Sequence, residues 1–554
     1  MATASSEATK TYLRGTITKE KIEEIEFAQG TQPPEGTINE LSFDASEKQD
    51  KSIMGYYTDT DGNGLYKLTF LSPEIIATNK NAGYLFQNLS SVKNIKFDNF
   101  STYGANKMNF MFGGCKEIIE INLSKFDTSY VTDIQGMFYN CASIKTLDVS
   151  KFNTSEVKSF CSNEAWRANG TFQDCTSLEN IDISSWDTSK ATSFCKMFSG
   201  CSSLVNLNVK NINTSNAVSM ASMFRGCSGL TTLDVSGFDT RSVTEMYGMF
   251  YGCSSLTTLD VSNFNTSQVK LFCNNNAFSD DGIFQNCASL ESLDLSNWDT
   301  SASVSFTKMF SGCTNLTNLD ISNFNTSNVK DMDWMFYGCS SLITIYVSEF
   351  NAETNTGWTT TAVTKSDLMF YNCTKLVGGN GTTYNNNITD KTYAVIDTAT
   401  TPGYLTNINK NKKINRLISA SRVAPTGKYL NSTIIKNKIE TIEFKLGKEK
   451  PEGTIETFDA SEKQDESIMA YYTDTDRNGL YELTFTSDGV IATNTETQYL
   501  FQSLTQLTKI TFDNFSTYGA TNMQSMFSNC SKLITLDVSK FNTSNVTSML
   551  EMFY

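Results

Sequence analysis

Residues 253–267 read Cys-Ser-Ser-Leu-Thr-Thr-Leu-Asp-Val-Ser-Asn-Phe-Asn-Thr-Ser, and this stretch contains the pattern that decides the fold. Similar strings recur around eleven cysteines, each with a Phe three residues before it: Cys115, Cys141, Cys175, Cys201, Cys227, Cys253, Cys287, Cys313, Cys339, Cys373 and Cys530. The first ten are separated by only two distances, 26 or 34 residues. This spacing predicts an array of 26-residue units, three of which carry eight extra residues.

Each unit reads C-x-x-L-x-x-L-x-V-S-x-F-[ND]-T-S-x-V-x-x-M-x-x-M-F. The L-x-x-L-x-V segment predicts a short parallel strand with one face buried. The V-x-x-M-x-x-M-F segment favours either a helical or 3-10 turn, or a second short strand followed by a turn. A unit this small cannot bury its own apolar face, so neighbouring units must stack, which predicts a β-rich solenoid.

Two duplications set the domain organisation. Residues 159–163 resemble 271–275 at an offset of 112, so a block of four coils was copied. Residues 97–104 are repeated as 512–519, which indicates a second module. That module stops inside a coil at Tyr554, and we expect the natural chain to continue. The predicted domains are an N-terminal tail and β-rich cap at 1–95, a solenoid at 96–375, a C-terminal cap at 376–406, a linker at 407–428, a second β-rich cap at 429–510 and a second solenoid start at 511–554.

Composition narrows the function. The chain of 554 residues has no histidine, which excludes Ser-His-Asp and Cys-His nucleophile systems and imidazole zinc sites. Lys and Arg number 44 against 59 Asp and Glu, so the net charge is −15. This balance disfavours nucleic acid and anionic lipid as partners. No apolar run approaches the length of about 18 residues that a membrane helix needs.

The repeated M-F-x-x-C-x-x-L-x-x-L-D-V-S-x-F-[ND]-T-S units resemble the BspA-like leucine-rich repeat surface proteins of bacteria. Residues 54–61 before the array, and 378–382 and 404–406 after it, share the resemblance. It implies a leucine-rich-repeat-type solenoid on a secreted or wall-attached protein that adheres to host proteins or other cells. It supplies no catalytic residues, and the chain shows neither the export signal nor the wall anchor that such attachment requires.

An acidic column follows the second Leu of most units, at Asp148, Asp182, Asp234, Asp260, Asp294 and Asp320. On a strand these side chains face away from the core, and stacking places them in a line. They could form an acidic stripe that attracts basic partners or divalent cations. Alternatively, each Asp accepts a backbone N–H at the following Ser-x-Phe turn.

The Asp59-x-Asp61-x-Asn63-Gly64 string recurs as Asp474-x-Asp476-x-Asn478-Gly479 and resembles the start of a calcium loop. The twelfth loop position, where a bidentate Glu is expected, is Phe70 in the first copy and Phe485 in the second. Asn-Gly between strand-like runs is also the ordinary hairpin signal. The sequence therefore predicts a hairpin, with weak calcium binding as the alternative and no other cofactor.

Three insertions, near residues 161–168, 273–280 and 354–364, carry Trp166, Phe278 and Trp358. Exposed loop aromatics are typical contact anchors, although a single ring can simply cover the coil edge. The cysteine column is interpreted as buried thiols packing a coil corner, with disulfides or metal as alternatives. Cys161, Cys195 and Cys273 lie outside the column, and their spacing indicates no pairing.

The sequence thus predicts a non-enzymatic cell-surface adhesin or binding scaffold whose partners are host extracellular proteins or cell-surface glycans. The alternative is a passive spacer that presents another domain. A carboxylate-based glycosidase is disfavoured, because its two acids must face each other across a cleft about 5 to 9.5 Å wide.

Overall fold

The computed structural model describes residues 1, 12–161, 169–273, 281–408, 414–421, 424–512, 514–517, 520–538, 541, 543 and 546–554. The chain divides into two compact units, residues 1–407 and 408–554. Both are β-rich and nearly free of helix in the described residues, where 3-10 turns occur at Lys19–Lys21, Asn39–Leu41, Lys391–Tyr393 and Lys436–Lys438. No described helix has the length and apolar character needed to cross a bilayer.

The strands are short. In the first unit they are β1 (Ile22–Gln29), β2 (Phe43–Asp44), β3 (Met54–Thr58), β4 (Tyr66–Ser72), β5 (Ile76–Ala77), β6 (Asn94–Lys96), β7 (Phe100–Ser101), β8 (Thr146–Leu147), β9 (Asn180–Ile181), β10 (Asn206–Leu207), β11 (Asn318–Asp320), β12 (Thr344–Val347) and β13 (Leu405–Asn407). In the second unit they are β14 (Ile414–Arg416), β15 (Ile439–Leu446), β16 (Glu456–Asp459), β17 (Met469–Thr473), β18 (Tyr481–Ser487), β19 (Val490–Ala492), β20 (Lys509–Thr511) and β21 (Phe515–Ser516).

Each unit begins with the same five-stranded mixed sheet. The strand orders are β2-β3-β4-β1-β6 and β16-β17-β18-β15-β20, with β1 and β15 each pairing in parallel to both neighbours. The alternation of apolar and polar residues in these strands buries one face, where Phe27 stacks on Phe70 with ring centroids 5.0 Å apart. Phe444 and Phe485 make the equivalent stack at 4.8 Å.

After the first sheet, successive repeats stack through parallel pairings. The L-x-x-L-x-V segments form the three-stranded sheet β10-β9-β8, while β11 pairs with β12, and β12 pairs with β13 of the C-terminal region. The strands are only two to four residues long, and the sheets are small and separate. The predicted parallel strand is therefore present in some repeats and is brief, since a Ser-x-Phe turn follows it at once.

The second half of each 26-residue repeat is a single parallel bridge followed by turns. Of the two predicted alternatives, this is nearer to a short strand followed by a turn. Bridges run along Lys107–Asp133–Ser159–Ser193–Ser219–Glu245–Leu271 and along Ser305–Asp331–Lys365. In one repeat, Met249 N–H donates to Met246 O at 3.2 Å and Cys253 N–H to Phe250 O at 3.1 Å. These bonds span three residues, but no 3-10 helix is assigned within the described repeats.

The core of the array is a column of stacked phenylalanines. Adjacent ring centroids lie 5.2 to 6.1 Å apart, with interplanar angles of 14° or less, along Phe86, Phe112, Phe138, Phe172, Phe198, Phe224, Phe250, Phe284, Phe310, Phe336 and Phe370. These rings are buried, so each repeat completes the core of its neighbours.

A buried threonine ladder joins the Asn/Asp-Thr-Ser turns. Thr240 Oγ1 donates to Asn265 O at 2.9 Å and accepts from Asn265 N–H at 2.7 Å. The same two-way contact joins Thr214 to Asp239, and the Oγ1 of Thr266 donates to Asp299 O. One hydroxyl thus satisfies two backbone groups of the next repeat, as expected for a structural column.

Replacing Thr240 with valine is expected to lower the free energy of unfolding by about 1–3 kcal/mol, because the part-buried N–H and C=O of Asn265 lose their partner. Thr240→Ser keeps the hydroxyl and is the matched control. Urea unfolding of the two variants measures the difference. Equal stability of the valine variant and the unchanged protein would contradict the role of the ladder.

The predicted linker at 407–428 is too long. Within it, β14 pairs in parallel with β19, and Leu417 is buried in the core of the second unit. The Asn- and Lys-rich composition suggested a solvated segment. However, Leu417 packs into the core, and the backbone of Ile414–Arg416 is paired in a sheet.

Candidate functional site

The acidic column lies on the exposed side of the repeat strands, as predicted. Its six members, Asp148, Asp182, Asp234, Asp260, Asp294 and Asp320, are all exposed, while the Leu or Ile before and the apolar residue after each one are buried. Their Oδ1 atoms accept the N–H of the residue two positions later at 2.9 to 3.0 Å. Each carboxylate therefore caps its own turn, and the column is both structural and exposed.

These turn contacts also stabilise the charged form. Hydrogen bonds from the side chain and backbone of Ser150 lower the pKa of Asp148, and those of Ser236 lower the pKa of Asp234. The backbone and side chain of Ser184 lower the pKa of Asp182, against a smaller opposing effect of the Asp148 charge. The carboxylates of Asp148, Asp182 and Asp234 are thus held in the anionic form at neutral pH.

A shallow depression of about 690 Å³ lies on this face over β8, β9 and β10. Its lining is polar except at two buried strand residues and comprises Thr146, Leu147, Asp148, Ser150, Asn180, Ile181, Asp182, Ser184, Asn206 and Asn208. Carboxylates, amides and hydroxyls on a flat face can hydrogen-bond a partner at several points. We take this strand face as the candidate interaction surface.

Of the three predicted loop anchors, one lies within the described residues. Trp166 and Phe278 lie outside the described residues. Trp358 is 5% exposed, and its Nε1–H donates to Ala394 O at 2.8 Å. The prediction that Trp358 is an exposed contact anchor is wrong. The ring covers the core beneath the C-terminal cap, and its polar N–H finds its hydrogen-bond acceptor there.

The cysteine column consists of free thiols, as predicted, which are buried in the first unit and partly buried at Cys530 in the second. Each Sγ–H donates to the carbonyl of the repeat before, for example from Cys227 to Phe198 O at 3.1 Å and from Cys253 to Phe224 O at 3.2 Å. Burial raises the pKa of Cys253 to about 12, so this thiol is protonated and unreactive at neutral pH.

One disulfide was missed. Cys161 and Cys195, 34 residues apart, are bonded, with Cα atoms 5.7 Å apart. Their separation equals the longer repeat interval, which was the signal available in the sequence. In the copied block the equivalents are Cys273 and Thr307, so the second position lacks the sulfur. Cys273 Sγ instead donates to Ser305 Oγ at 2.8 Å.

Thr307→Cys is expected to form a second disulfide with Cys273. The local surroundings match, since Cys161 Sγ lies 3.0 Å from Ser193 Oγ just as Cys273 Sγ lies 2.8 Å from Ser305 Oγ. Closing this loop should raise the free energy of unfolding by about 2–4 kcal/mol. Thiol titration of the denatured variant and mass spectrometry detect the bond, and Thr307→Ser is the control. If the bond does not form, the variant keeps two more titratable thiols after mild oxidation than the bonded form would have. That result would show that the two blocks differ in geometry.

The two Asp-x-Asp-x-Asn-Gly strings close hairpins. Thr58 ends β3 and Tyr66 begins β4, its antiparallel partner, and Asp59 Oδ2 accepts Gly64 N–H at 3.2 Å. Asp61 Oδ1 accepts Asn63 N–H at 3.2 Å. The second copy repeats these bonds with Asp474, Asp476 and Asn478. Across the described residues, no group of three or more acidic or Cys side chains is arranged to hold a metal ion.

Sequence reasoning also missed a cluster of aromatic rings on the turn side of the array. Trp334 stacks on Tyr337 with centroids 4.5 Å apart, and Tyr337 stacks on Tyr371 at 5.1 Å. Tyr337 and Tyr371 stand two residues before a column cysteine, and Trp334 stands five before. Aligning those two columns would have placed the three rings side by side.

These observations define a β-rich repeat protein whose repeats are joined by buried Phe, Cys and Thr columns. The chain belongs to the family described as Mycoplasma protein of unknown function, DUF285, which matches residues 80–163, 167–281, 279–406 and 493–554.

Two solved structures are similar to it at low level. A leucine rich cell surface protein from Faecalibacterium prausnitzii A2-165 is 16% identical, over 51% of this chain and 75% of that one, with a TM-score of 0.24. The functional domain of InlJ from Listeria monocytogenes, which includes a cysteine ladder, is 12% identical over 72% and 86%, with a TM-score of 0.14. No curated protein matches the chain.

Proposed function

We propose that the stacked repeats form a leucine-rich-repeat-type solenoid and that the protein is a non-enzymatic, BspA-like bacterial surface adhesin or binding scaffold. The observation that carries this proposal is the strand face, where exposed Asp, Asn and Thr side chains recur at fixed positions over a sealed core. Such a face offers many weak contacts in register, and their sum provides affinity.

Two further features support this proposal. The Cys161–Cys195 disulfide is typical of proteins that fold in an oxidising compartment, and so favours an extracellular location. The absence of histidine and the placement of the acidic column along one strand face favour binding over catalysis. The partners we propose are host extracellular proteins or cell-surface glycans.

The test is a binding screen of the full chain against extracellular matrix proteins and glycans, in calcium and in a chelator. We expect saturable binding to at least one ligand. The matched variant is Asp148→Asn with Asp182→Asn and Asp234→Asn, because Asn208 occupies the same column and its Oδ1 accepts Lys210 N–H at 3.1 Å. This variant removes charge while it retains the turn contact. A partner that binds the acidic face must bind this variant more weakly than it binds the unchanged protein.

The competing proposal is a passive spacer, which the continuous Phe and Thr columns favour because they stiffen the array along its length. It predicts no ligand in either condition of the screen. That outcome would overturn the adhesin proposal. Calcium is proposed to be unnecessary, since the loop carboxylates already accept backbone donors. A calcium-dependent rise in melting temperature that Asp59→Asn with Asp474→Asn abolishes would overturn this point.

A further inference from the structure

A second concave site lies at the end of the first repeat array, away from the acidic column. It has a volume of about 630 Å³, within the range of small-ligand sites. One wall comes from two neighbouring repeats, since Trp334 N–H donates to Asp367 O at 2.9 Å. The other wall comes from the C-terminal cap at 387–392. The lining comprises Trp334, Asp367, Leu368, Asn387, Ile388, Thr389, Asp390 and Thr392.

Trp334 provides an aromatic platform in this site. Trp186, Trp298 and Trp358 are buried, whereas Trp334 is only partly covered. Its ring is fixed by the stack on Tyr337, and Lys308 Nζ lies 5.6 Å from its centroid. The backbone of Trp334 is left-handed, with φ of 61°. The equivalent residues of other repeats, such as Phe110, Gly136 and Leu368, are left-handed too, so this conformation belongs to the repeat turn.

Polar groups surround the platform. Asp367, Asp390 and Asn387 are exposed, and Thr389 and Thr392 add hydroxyls. Asp390 Oδ1 accepts Thr392 N–H at 3.0 Å, which fixes the carboxylate at the start of a 3-10 turn. Carboxylates accept paired hydroxyl donors, and an amide both donates and accepts. Aromatic faces attract weakly positive C–H groups because the ring face carries negative charge.

A pyranose ring has both requirements, a C–H face and a rim of hydroxyls. Among the described residues that line the site, two are carboxylates and none is Lys or Arg. Of the lysines nearby, Lys365 pairs with Asp331 at 3.1 Å and Lys391 Nζ donates to Val363 O. Lys308, over the Trp334 ring, is one cation against the two carboxylates Asp367 and Asp390, so an acidic sugar would meet a net negative site. The lining thus selects a neutral sugar over a charged one.

We propose that this site binds a neutral glycan, with one sugar ring stacked on Trp334 and its hydroxyls bonded to Asp367, Asp390 and Asn387. The inference rests on the proposed surface-binding function and names its ligand class. It is independent of the acidic strand face, which lies on β8, β9 and β10.

The experiment titrates the full chain with lactose, cellobiose, maltose and chitobiose, with sialyllactose as the charged comparison, and follows tryptophan fluorescence. At least one neutral sugar should change the emission saturably and bind about tenfold more tightly than sialyllactose. Trp334→Leu, which places the residue of the next repeat at this position, should weaken binding about tenfold. Asp367→Asn with Asp390→Asn should also weaken it. Tyr130→Ser, which removes an exposed ring elsewhere, should leave it unchanged.

Failure of all four neutral sugars to bind would overturn the inference, as would binding that neither Trp334→Leu nor the double Asn variant affects. A Lys- and Arg-containing peptide that binds in place of the sugars, and loses affinity in Trp334→Leu, would assign the site to basic protein segments instead. A negative sugar titration beside a positive matrix-protein screen would refute only this inference. A negative result in both would refute the proposed function as well.

Discussion

Phe224→Ala is expected to lower the free energy of unfolding of the first unit by about 3–5 kcal/mol. The ring is fully buried at the middle of the phenylalanine column. It stacks on Phe198 at 6.1 Å with an interplanar angle of 1°, and on Phe250 at 5.9 Å with an angle of 11°. Truncation leaves a cavity bounded by two rigid rings. The neighbouring repeats cannot close it without losing their own backbone pairing.

Tryptophan fluorescence during urea unfolding measures this effect on the first unit alone, because all five tryptophans lie between Trp166 and Trp358. Tyr130→Ala is the control: it removes an aromatic side chain that is 56% exposed, and its effect should stay within about 0.5 kcal/mol. A loss below about 1 kcal/mol for Phe224→Ala would mean that the column relaxes easily and does not hold the repeats together.

The repeat columns could be predicted from the sequence because their physics is the same in every repeat. A Phe and a Cys at a fixed spacing must lie above their equivalents once the repeats stack, and an apolar environment then protonates the thiol. The same logic gave the exposure of Asp148 and its turn contact with Ser150, as two alternatives that the structure combines. The first and last residues of each strand could not be predicted from the sequence, since a strand of two or three residues depends on hydrogen bonds between repeats.

Features that occur only once in the chain were poorly predicted from the sequence. The Cys161–Cys195 bond has no counterpart in the copied block, where Thr307 replaces the second sulfur, so the 34-residue spacing of the two cysteines was the signal left in the sequence. Trp358 is buried by the cap backbone at Ala394, a contact between segments 36 residues apart. Trp334, by contrast, lies in a turn column whose other members vary from Gly136 to Lys308 and Leu368, and nothing in its own repeat marks it as half-exposed.

Asp397→Ala is expected to destabilise the C-terminal cap by about 2–4 kcal/mol, because several donors in a buried site would lose one shared acceptor. The residue is 1% exposed. Its Oδ2 accepts the N–H of Asn380 at 2.7 Å and of Thr382 at 2.9 Å, and its Oδ1 accepts Thr382 Oγ1 at 2.7 Å and Gly403 N–H at 3.3 Å. One carboxylate thus ties the turn at 378–382 to the one before β13.

The same carboxylate makes cap stability depend on pH. Burial alone would raise the pKa of Asp397, but the hydrogen bonds from Thr382, Asn380 and Gly403 outweigh it and hold the pKa below the ordinary value of 3.8. A lowered pKa in the folded state means that the stabilisation is complete above the unfolded pKa and is lost as the pH falls through the folded one.

Asp397→Asn, which cannot titrate, is the control. Urea unfolding between pH 7 and pH 3 should show the stability advantage of the native residue constant down to about pH 5 and shrinking below about pH 4. An advantage that stays constant to pH 3 would mean that the carboxylate remains ionised there. An advantage that falls between pH 7 and pH 5 would contradict the lowered pKa itself.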